Sequence, residues 1–288
     1  MVQVRFSIVM PNRNCAAYIE TAIQSILAAA KGIDLEYIFV DGASTDGSTE
    51  IAARYSERFA CWISEPDEGQ YEAVNKGFNR ATGEILGWLN SDDLYFPWTL
   101  STVGSVFQEL PDVDWLTTTS PGAVDADGLG VRVRTVPGYA AEAFFEGRYI
   151  PAKTGWSYGA IQQESTFFRR SLWNRAGGGL NTAYRLAADF ELWSRFFEHA
   201  ELCSTETPLA AYRYRSDQRG ANLEAYMGEV FRCLSGRQRE SRLRQIALRP
   251  WTRALPGIGR ALAGTMGYSG RKLIRQDGRW VSQGHRFY

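Results

Sequence analysis

The stretch GEILGWLNSDD, at residues 83–93, is a largely apolar run that begins at a glycine and ends in two adjacent carboxylates. Such a run is typical of a buried strand in a mostly parallel sheet. Ligands of open sheets bind just outside the carboxyl ends of the strands, where Asp92 and Asp93 would lie. Because paired carboxylates repel each other unless a cation joins them, the pair indicates a divalent metal ion that bridges diphosphate oxygens. A helix N-cap followed by a solvated acid explains these two residues equally well.

The segments around this strand alternate between apolar runs and helices with one apolar face. This alternation predicts an α/β fold with a mostly parallel central sheet and helices on both of its faces. Strands are predicted at residues 5–11, 35–40, 61–64 and 114–118, and helices at residues 18–29, 69–81 and 100–110. Further along, the pattern predicts a hairpin turn at 127–128, a strand over 161–169, a helix over 186–199 and a last strand over 208–215.

The bulk composition is that of a protein that folds in water, with 44% hydrophobic and 22% charged residues. No apolar stretch approaches the roughly 18 to 20 residues that span a bilayer. The segment before the first strand is too short for a signal peptide, so we expect a cytoplasmic protein. The 4 cysteines are far apart in the sequence and indicate neither a zinc site nor a disulfide framework.

Charge divides the chain into two unequal parts. Residues 213–288 carry 16 basic and 5 acidic side chains, whereas residues 1–212 carry 16 basic and 27 acidic ones. We therefore expect a globular domain over residues 1–215 and a basic, Arg-rich, mainly helical extension over residues 216–288. The extension's amphipathic segments would rest on an anionic membrane, pack on the acidic domain or bind a second subunit, and nucleic acid is a less favoured partner. The sequence leaves the oligomeric state open.

Polar stretches follow the first four predicted strands, and they are the candidates for a binding site. They are PNRN at 11–14, DGASTD at 41–46, EPDEG at 65–69 and NSDD at 90–93. None has the glycine pattern of a dinucleotide-binding fold or the Gly-Lys-Ser/Thr of a phosphate loop. A carboxylate after the second strand can accept hydrogen bonds from a base edge or a ribose, and a cation at 90–93 can neutralise a diphosphate.

Together these stretches resemble the family 2 glycosyltransferases. The resemblance rests on SIVMPNRN (7–14), VDGASTDGS (40–48), EPDEGQYEAVNKG (65–77) and LNSDD (89–93), and it extends to QESTFFRR (163–170) and ADFELW (188–193). Each motif is weak alone, but their order and spacing over roughly residues 5–215 are specific. The resemblance implies a GT-A fold and an inverting sugar transfer from a nucleoside diphosphate sugar, usually a UDP-sugar, with Mg²⁺ or Mn²⁺. The acceptor would be a hydroxyl of a glycan or lipid-linked molecule in surface polysaccharide or glycolipid synthesis.

Positions that match the family's motifs are expected to share its roles. The resemblance implies that Asp93 ligates the metal, that Asp92 approaches the ribose or sugar of the donor, and that Asp189 is the general base. Inversion by a single displacement needs such a base on the acceptor side and charge relief on the leaving diphosphate. Asp41 would hold the base edge and Lys76 the diphosphate. The implied nucleotide contacts are Pro11, Asn12, Asp41, Asp67, Asn75 and Lys76.

Several alternatives accompany this interpretation. Glu164 stands where the family commonly has a small residue or proline, so it is a competing base or an acceptor contact. Trp156 is either a stacking surface for the acceptor or an ordinary loop anchor. A sugar nucleotidyltransferase would carry a basic, glycine-rich loop after the first strand, which PNRN does not resemble. A non-catalytic nucleotide-sugar or anion-binding protein could use the basic tail, but the intact set of three aspartates argues against it.

Overall fold

The computed structural model describes residues 4–151, 157–215, 222–237 and 267–287. The strands within these residues are β1 (Phe6–Asn12), β2 (Leu35–Asp41), β3 (Cys61–Ser64), β4 (Ile85–Trp88), β5 (Leu94–Tyr95), β6 (Trp115–Thr118), β7 (Gly122–Val124), β8 (Arg132–Val133), β9 (Phe167–Arg169), β10 (Leu202–Thr205), β11 (Ala210–Arg213), β12 (Tyr268–Gln276) and β13 (Arg279–Phe287). The α-helices are α1 (Ile19–Ala29), α2 (Ser48–Ala53), α3 (Gln70–Phe78), α4 (Thr99–Glu109), α5 (Ala141–Phe145), α6 (Arg170–Arg175), α7 (Ala188–Phe196) and α8 (Leu223–Leu234).

One large sheet forms the centre of the described structure. Its strand order is β13-β12-β10-β6-β9-β4-β1-β2-β3. The strands from β4 to β3 in this order are mutually parallel, and β6, β10 and β12 are parallel to one another. Only β9, which lies between β4 and β6, and the edge strand β13 run against their neighbours among the described strands of this sheet. The predicted α/β fold with a mostly parallel sheet and flanking helices is therefore confirmed.

The two faces of the sheet are buried in separate apolar cores, which explains why its strands are continuous apolar runs. In β1, Phe6, Ile8 and Met10 enter the core that is shared with α1 and α4. Val9, on the opposite face, enters the core that is shared with α3, α6 and α7. The second core is rich in aromatic rings, and Trp88 of β4 stacks on Trp193 of α7 with ring centroids 6.0 Å apart. This packing fixes α7 against the strand that leads to the Asp92-Asp93 pair.

A second, four-stranded sheet in the described residues pins the chain that follows β4. Its order is β5-β11-β7-β8. After β4 the chain turns through residues 90–93, with the Asp93 amide donating to the Asn90 carbonyl at 3.1 Å. It then enters β5, which pairs antiparallel with β11. The turn that carries both aspartates is thus held between the two sheets. The pairing of β7 with β8 confirms the hairpin predicted around residues 127–128.

The C-terminal residues differ from the helical extension that the sequence predicted. Helix α8 is present, but β12 and β13 form an antiparallel hairpin that joins the central sheet beside β10. The turn is Asp277-Gly278, and both residues have positive φ values, 50° and 79°, as a two-residue type I′ hairpin turn requires. Leu273 and Trp280 are buried in the core of α1 and α4. The prediction of helix was wrong here because the arginine content concealed an Asp-Gly hairpin signal.

Two further observations concern the remaining predictions. Of the strand expected over 161–169, only β9 is extended, because Gln163–Ser165 forms a 3₁₀ turn before it. The predicted amphipathic segments beyond residue 237 fall within residues 238–266, which lie outside the described residues. Within the part of the chain that the structure describes, no helix has the length and apolar character needed to cross a bilayer.

Candidate active site

A cleft of about 380 Å³ opens at the carboxyl ends of β1 and β4. Its walls bring together seven of the residues that the sequence singled out, along with side chains from α3, α8, β11 and the segment after β11. The lining residues with polar or aromatic side chains are Asn12, Arg13, Asp67, Gln70, Tyr71, Trp88, Asn90, Ser91, Asp92, Asp93, Gln163, Glu164, Arg185, Asp189, Tyr212, Arg215 and Tyr226.

Asn12 lines the cleft, and Asp41 lies behind it. The buried Asp41 carboxylate accepts hydrogen bonds from Asn12 Nδ2 at 2.8 Å, from Ser44 at its amide and hydroxyl, and from Ser64 Oγ at 3.0 Å. Asn12 Oδ1 is buried without a hydrogen-bond partner among the described residues. Asp41 therefore orients the Asn12 amide, whose oxygen remains able to accept a hydrogen bond. The structure does not place Asp41 itself in the lining of the cleft.

Asp67 reaches the cleft from the loop after β3 because Gly42 leaves room for it. A Cβ atom on Gly42 would lie 2.4 Å from Asp67 Oδ2, which is closer than atoms can approach. The Asp67 carboxylate accepts the Gly69 amide at 2.9 Å and lies 3.8 Å from Arg13 Nη1. Burial raises the pKa of Asp67, and this amide and Arg13 oppose the increase.

Asn75 and Lys76 are not brought into the lining of the cleft. The Asn75 side chain exchanges two hydrogen bonds with the backbone of Leu180, at 2.9 and 2.8 Å, and so ties α3 to the segment before α7. The Lys76 ammonium lies 3.0 Å from Glu65 and 3.3 Å from Glu72, and it donates to the Pro66 carbonyl at 3.0 Å. Both side chains thus hold the loops behind the cleft in this structure.

Asp92 and Asp93 have different surroundings. Asp93 is buried, and its two carboxylate oxygens accept the Arg213 amide at 2.9 Å and Asn90 Nδ2 at 3.0 Å. Asp92 is partly exposed, and its carboxylate lies 3.1 Å from Arg215 Nε. Its carbonyl accepts Arg213 Nε at 2.6 Å. The end of β11 therefore fixes the position of both aspartates.

Glu164 lies in the 3₁₀ turn before β9 and is buried in the wall of the cleft. Its Oε1 has no hydrogen-bond partner within the described ranges. Burial, together with the nearby charges of Asp189 and Asp92, raises the pKa of Glu164 to about 7. A buried carboxylate with an unsatisfied oxygen is costly for the fold, which indicates a functional reason for its position. Trp156, the other candidate acceptor contact, lies outside the described residues.

Asp189 stands in the first turn of α7, where the helix dipole favours a negative charge. The Tyr71 hydroxyl donates to the Leu186 carbonyl at 2.8 Å and lies 3.3 Å from Asp189 Oδ1. Burial is the main cause that raises the pKa of Asp189 to about 6, and the charge of Glu229 adds to it. A carboxylate with such a pKa is ionised at neutral pH and can still accept a proton, as a general base must.

Five carboxylates, those of Asp67, Asp92, Asp93, Glu164 and Asp189, thus line one cleft. Burial and the charges of Glu164 and Asp92 raise the pKa of Asp93 well above its ordinary value. This repulsion is what a divalent cation would relieve, and carboxylate oxygens are the ligands that Mg²⁺ and Mn²⁺ prefer. In the part of the chain that is described, however, no three side chains of histidine, cysteine, aspartate or glutamate are arranged to hold a metal ion together.

Sequence reasoning missed several residues that line the cleft. Arg215 lies against Asp92 and also over the Tyr18 ring, 5.1 Å from its centroid. Tyr226 comes from α8, more than 30 residues after Asp189. No motif in the sequence connects these positions to the strand ends, because only tertiary packing brings them together. Tyr71 could have been found, since it lies inside the EPDEGQYEAVNKG motif.

Comparisons with known proteins identify the family of this chain. The sequence model of the family "Glycosyl transferase family 2" matches residues 7–173. The PGL/p-HBAD biosynthesis glycosyltransferase of Mycobacterium bovis is 30% identical over 206 residues, which make up 70% of this chain and 73% of that relative. Other curated relatives are uncharacterized glycosyltransferases of Nostoc and Rickettsia conorii, 35% and 26% identical, and the matched segments of this chain span about a third of their length, 33% and 34%.

Solved structures show the same fold at low sequence identity. Residues 1–349 of Staphylococcus aureus TarS, crystallised with UDP, give a TM-score of 0.58 at 16% identity, covering 80% of this chain and 64% of that one. The mannosyltransferase PcManGT of Pyrobaculum calidifontis, in complex with GDP-Man and Mn²⁺, gives 0.57 at 20% identity, covering 92% and 75%.

Proposed function

Since this chain belongs to glycosyltransferase family 2, we propose that it transfers a sugar from a nucleoside diphosphate sugar to an acceptor hydroxyl, with inversion at the anomeric carbon. We propose a UDP-sugar as donor and a role in surface polysaccharide or glycolipid synthesis. The observation that carries the proposal is the placement of the partly buried Asp189 in the same cleft as the Asp92-Asp93 pair.

We assign donor binding to the donor wall, defined as the cleft residues Pro11–Arg13, Asp67 and Asn90–Asp93. Asn12, oriented by Asp41, offers an amide oxygen to an N–H group on the edge of the base. Arg13 and Arg215 line the cleft, whereas Lys76 does not, so the arginines are better placed to meet a diphosphate. UDP is bound in the TarS structure and GDP-Man in the PcManGT structure, which supports a nucleotide at this position.

We assign the metal to Asp93, with Mg²⁺ or Mn²⁺ as the ion. The fit rests on the oxygen ligand that Asp93 offers and on the crowding of negative charge around it. Because these ions commonly use one or two carboxylates plus substrate phosphates, a single protein ligand is sufficient. When bound, the ion would neutralise charge on the leaving diphosphate. The PcManGT structure contains Mn²⁺, which supports a metal in this fold.

We assign acceptor activation to the base wall, defined as Tyr71, Glu164, Asp189 and Tyr226. Asp189 removes the proton of the acceptor hydroxyl. In the same step, the hydroxyl oxygen of the acceptor forms a bond to the anomeric carbon of the donor. The bond from that carbon to the diphosphate oxygen breaks in the same step, and the nucleoside diphosphate leaves with the electron pair. The Tyr71 hydroxyl, which donates to the Leu186 carbonyl, lies 3.3 Å from Asp189 Oδ1 and so holds the chain beside the base. Glu164, with a pKa near 7, exists partly in its neutral form at neutral pH and can donate a hydrogen bond to the acceptor.

We further propose that the acceptor is carried by a lipid and that the basic residues beyond 237 contact an anionic membrane surface. The support is the positive charge of residues 213–288, which contain 16 basic and 5 acidic side chains. Flotation with vesicles that contain anionic lipid tests this hypothesis. The full chain should float with these vesicles and a variant with neutral residues at the arginines of 239–260 should not, and equal recovery of the two would refute it.

Thermal unfolding with a panel of nucleotide sugars in Mn²⁺ tests the proposed function. A ligand that binds only the folded state raises the melting temperature. We expect UDP-sugars to raise it, and the increase to become smaller when EDTA removes the metal. The absence of any shift with UDP-, GDP-, ADP- and dTDP-sugars, for a protein shown to be folded, would contradict the proposal.

A further inference from the structure

Helix α8 holds the segment that leads into the proposed base. The Glu229 carboxylate accepts hydrogen bonds from three consecutive backbone amides, those of residues 185–187, at 2.8, 2.9 and 2.8 Å. Asp189 follows two residues later, in the first turn of α7. One side chain that is 40 residues away in the sequence therefore fixes the backbone immediately before the base.

These contacts hold the chain where it enters α7. The first amides of a helix have no partners within the helix, and a side chain at the N-cap usually satisfies one of them. Here the N-cap is Ala187, which makes no such hydrogen bond. Glu229 instead binds the amides of residues 185–187, which precede the first helical residue, and its negative charge is favourable near the positive end of α7. Helix α8 thus fixes the entry to α7.

A second residue of α8 holds the same segment as a hydrogen-bond donor, whereas Glu229 is an acceptor. Arg232, one turn after Glu229, donates to the Ala183 carbonyl at 3.0 Å. Its guanidinium also lies over the Tyr184 ring, 4.3 Å from the centroid. Since residues three apart share one helix face, Glu229 and Arg232 together grip residues 183–187 through amides, a carbonyl and an aromatic ring.

Helix α8 is itself firmly attached. Asn222 caps its N-terminus by accepting the Ala225 amide at 3.1 Å. Val230, Cys233 and Leu234 are buried in the aromatic-rich core that also contains Trp193 of α7. The side chains that hold residues 183–187 therefore belong to a helix that is packed into the core.

We propose that Glu229 is a positioning residue for the transfer reaction. By binding the amides of residues 185–187, it sets the direction in which Asp189 enters the cleft. The inference rests on the proposed role of Asp189 as the base. It extends the catalytic machinery to residue 229, beyond the segment 7–173 that the family model matches.

Glu229 also adds a negative charge near the base, which gives the proposal a readout that a merely structural role would not have. The charged and titratable groups that face Asp189 are Tyr71 of α3, Glu164 before β9, Arg185 before α7, and Tyr226 and Glu229 of α8. Because the Glu229 charge contributes to the raised pKa of Asp189, removing this charge should lower that pKa.

The first experiment needs no substrate. The variant Glu229→Gln keeps the shape of the side chain and removes its charge, and Glu229→Asp keeps the charge but shortens the reach. Glu224→Gln, an exposed change of the same kind on the same helix, is the matched control. Hydrogen exchange of amides 185–187 should become roughly tenfold faster in both Glu229 variants and stay unchanged in the control. The carboxyl ¹³C signal of Asp189, identified by its loss in Asp189→Asn, should titrate about 0.5 pH lower in Glu229→Gln.

The second experiment measures transfer with the UDP-sugar found in the thermal panel, using water as the acceptor. In Glu229→Gln the turnover number should fall roughly tenfold, while the dissociation constant of UDP with Mn²⁺ should stay within about twofold of the wild-type value. The proposal is overturned if amides 185–187 exchange alike in Glu229→Gln and Glu224→Gln, or if Glu229→Gln turns over at the wild-type rate.

Failure of the base assignment would look different from failure of this inference. Full transfer by Asp189→Asn would refute the proposed base and, with it, the catalytic meaning of Glu229. The exchange of amides 185–187 would still report whether Glu229 holds the segment, because that measurement involves neither donor nor acceptor.

Discussion

The donor wall and the base wall of the cleft are built in opposite ways. The residues of the donor wall lie at the ends of parallel strands or in the loops that directly follow them, so their positions are set by strand ends of one sheet. The base wall combines residues from α3, a 3₁₀ turn, α7 and α8, between positions 71 and 226. Local sequence specifies the first wall, whereas long-range packing specifies the second.

The Asp41 carboxylate behind the donor wall and the Glu164 carboxylate in the base wall differ in how fully they are hydrogen-bonded. Asp41, behind the donor wall, accepts hydrogen bonds from Asn12, Ser44 and Ser64. Glu164 in the base wall leaves one oxygen without a partner among the described residues, and its pKa is raised. Well-satisfied carboxylates hold a fold together, while poorly satisfied ones are ready to exchange protons at the expense of stability. We therefore expect substitutions in the two walls to have different consequences.

The largest effect is expected in the base wall. Asp189→Asn should reduce transfer by about 10²- to 10⁴-fold, because the amide cannot accept the proton of the acceptor hydroxyl. The dissociation constant of UDP with Mn²⁺, measured by calorimetry, should stay within about twofold of the wild-type value, since Asp189 is not in the donor wall. If transfer is retained in full, the base is another residue, and Glu164 becomes the first candidate.

A substitution in the donor wall should weaken donor binding, which the substitution in the base wall leaves unchanged. Asp93→Asn should weaken UDP binding in Mn²⁺ by roughly 100-fold, because the metal that neutralises the diphosphate loses its carboxylate ligand. Binding measured in EDTA should change little. Asp127→Asn, an exposed change in the β7–β8 turn, is the control. Equal loss of UDP affinity with and without metal would contradict the assignment of the ion to Asp93.

The pH dependence of transfer should report the base wall. Asp189 acts as a base only when it is ionised, and its pKa is raised to about 6. Turnover at saturating donor should therefore rise with pH through about 6 and be roughly tenfold lower at pH 5 than at pH 8. In Glu229→Gln the rise of turnover with pH should occur at lower pH. A flat profile between pH 5 and pH 8 would exclude a carboxylate with this pKa as the base.

Stability should show the cost of the buried Glu164. Its pKa in the folded protein, about 7, is above the ordinary value of 4.5, so the folded state disfavours the charged form. The free energy of unfolding should then decrease as pH rises from about 5 to 8, and Glu164→Gln should remove part of that decrease. We expect Glu164→Gln to be more stable than the wild-type protein by about 1 to 3 kcal/mol at pH 8 without metal, measured by urea unfolding. A less stable variant would show that the Glu164 carboxylate is satisfied after all.

The smallest effect is expected for Lys76, which the sequence motif assigned to the diphosphate. Its ammonium contacts Glu65, Glu72 and the Pro66 carbonyl and does not line the cleft. Lys76→Met should change UDP affinity by less than about twofold, whereas Arg215→Met should weaken it by roughly tenfold. The reverse order would return the diphosphate contact to Lys76 and require the loop 65–69 to rearrange on binding.

The contrast between the walls also explains how much the sequence could predict. The sheet, its direction and the Asp92-Asp93 turn follow from continuous apolar runs that end in polar residues, which is a local signal. Tyr226 and Glu229 carry no such signal, because their interactions with the Asp189 segment span between 37 and 44 residues. The Asp277-Gly278 turn did carry a local signal, and only the surrounding basic residues favoured helix instead.

The stereochemistry of transfer tests the central claim most directly, because donor departure and acceptor activation are assigned to opposite walls in a single displacement. The UDP-sugar identified by the thermal panel can be followed by ¹H NMR during transfer to water, before the released sugar mutarotates. From an α-configured donor we predict that the β anomer is released first. Initial release of the α anomer would contradict a single displacement with Asp189 as the base.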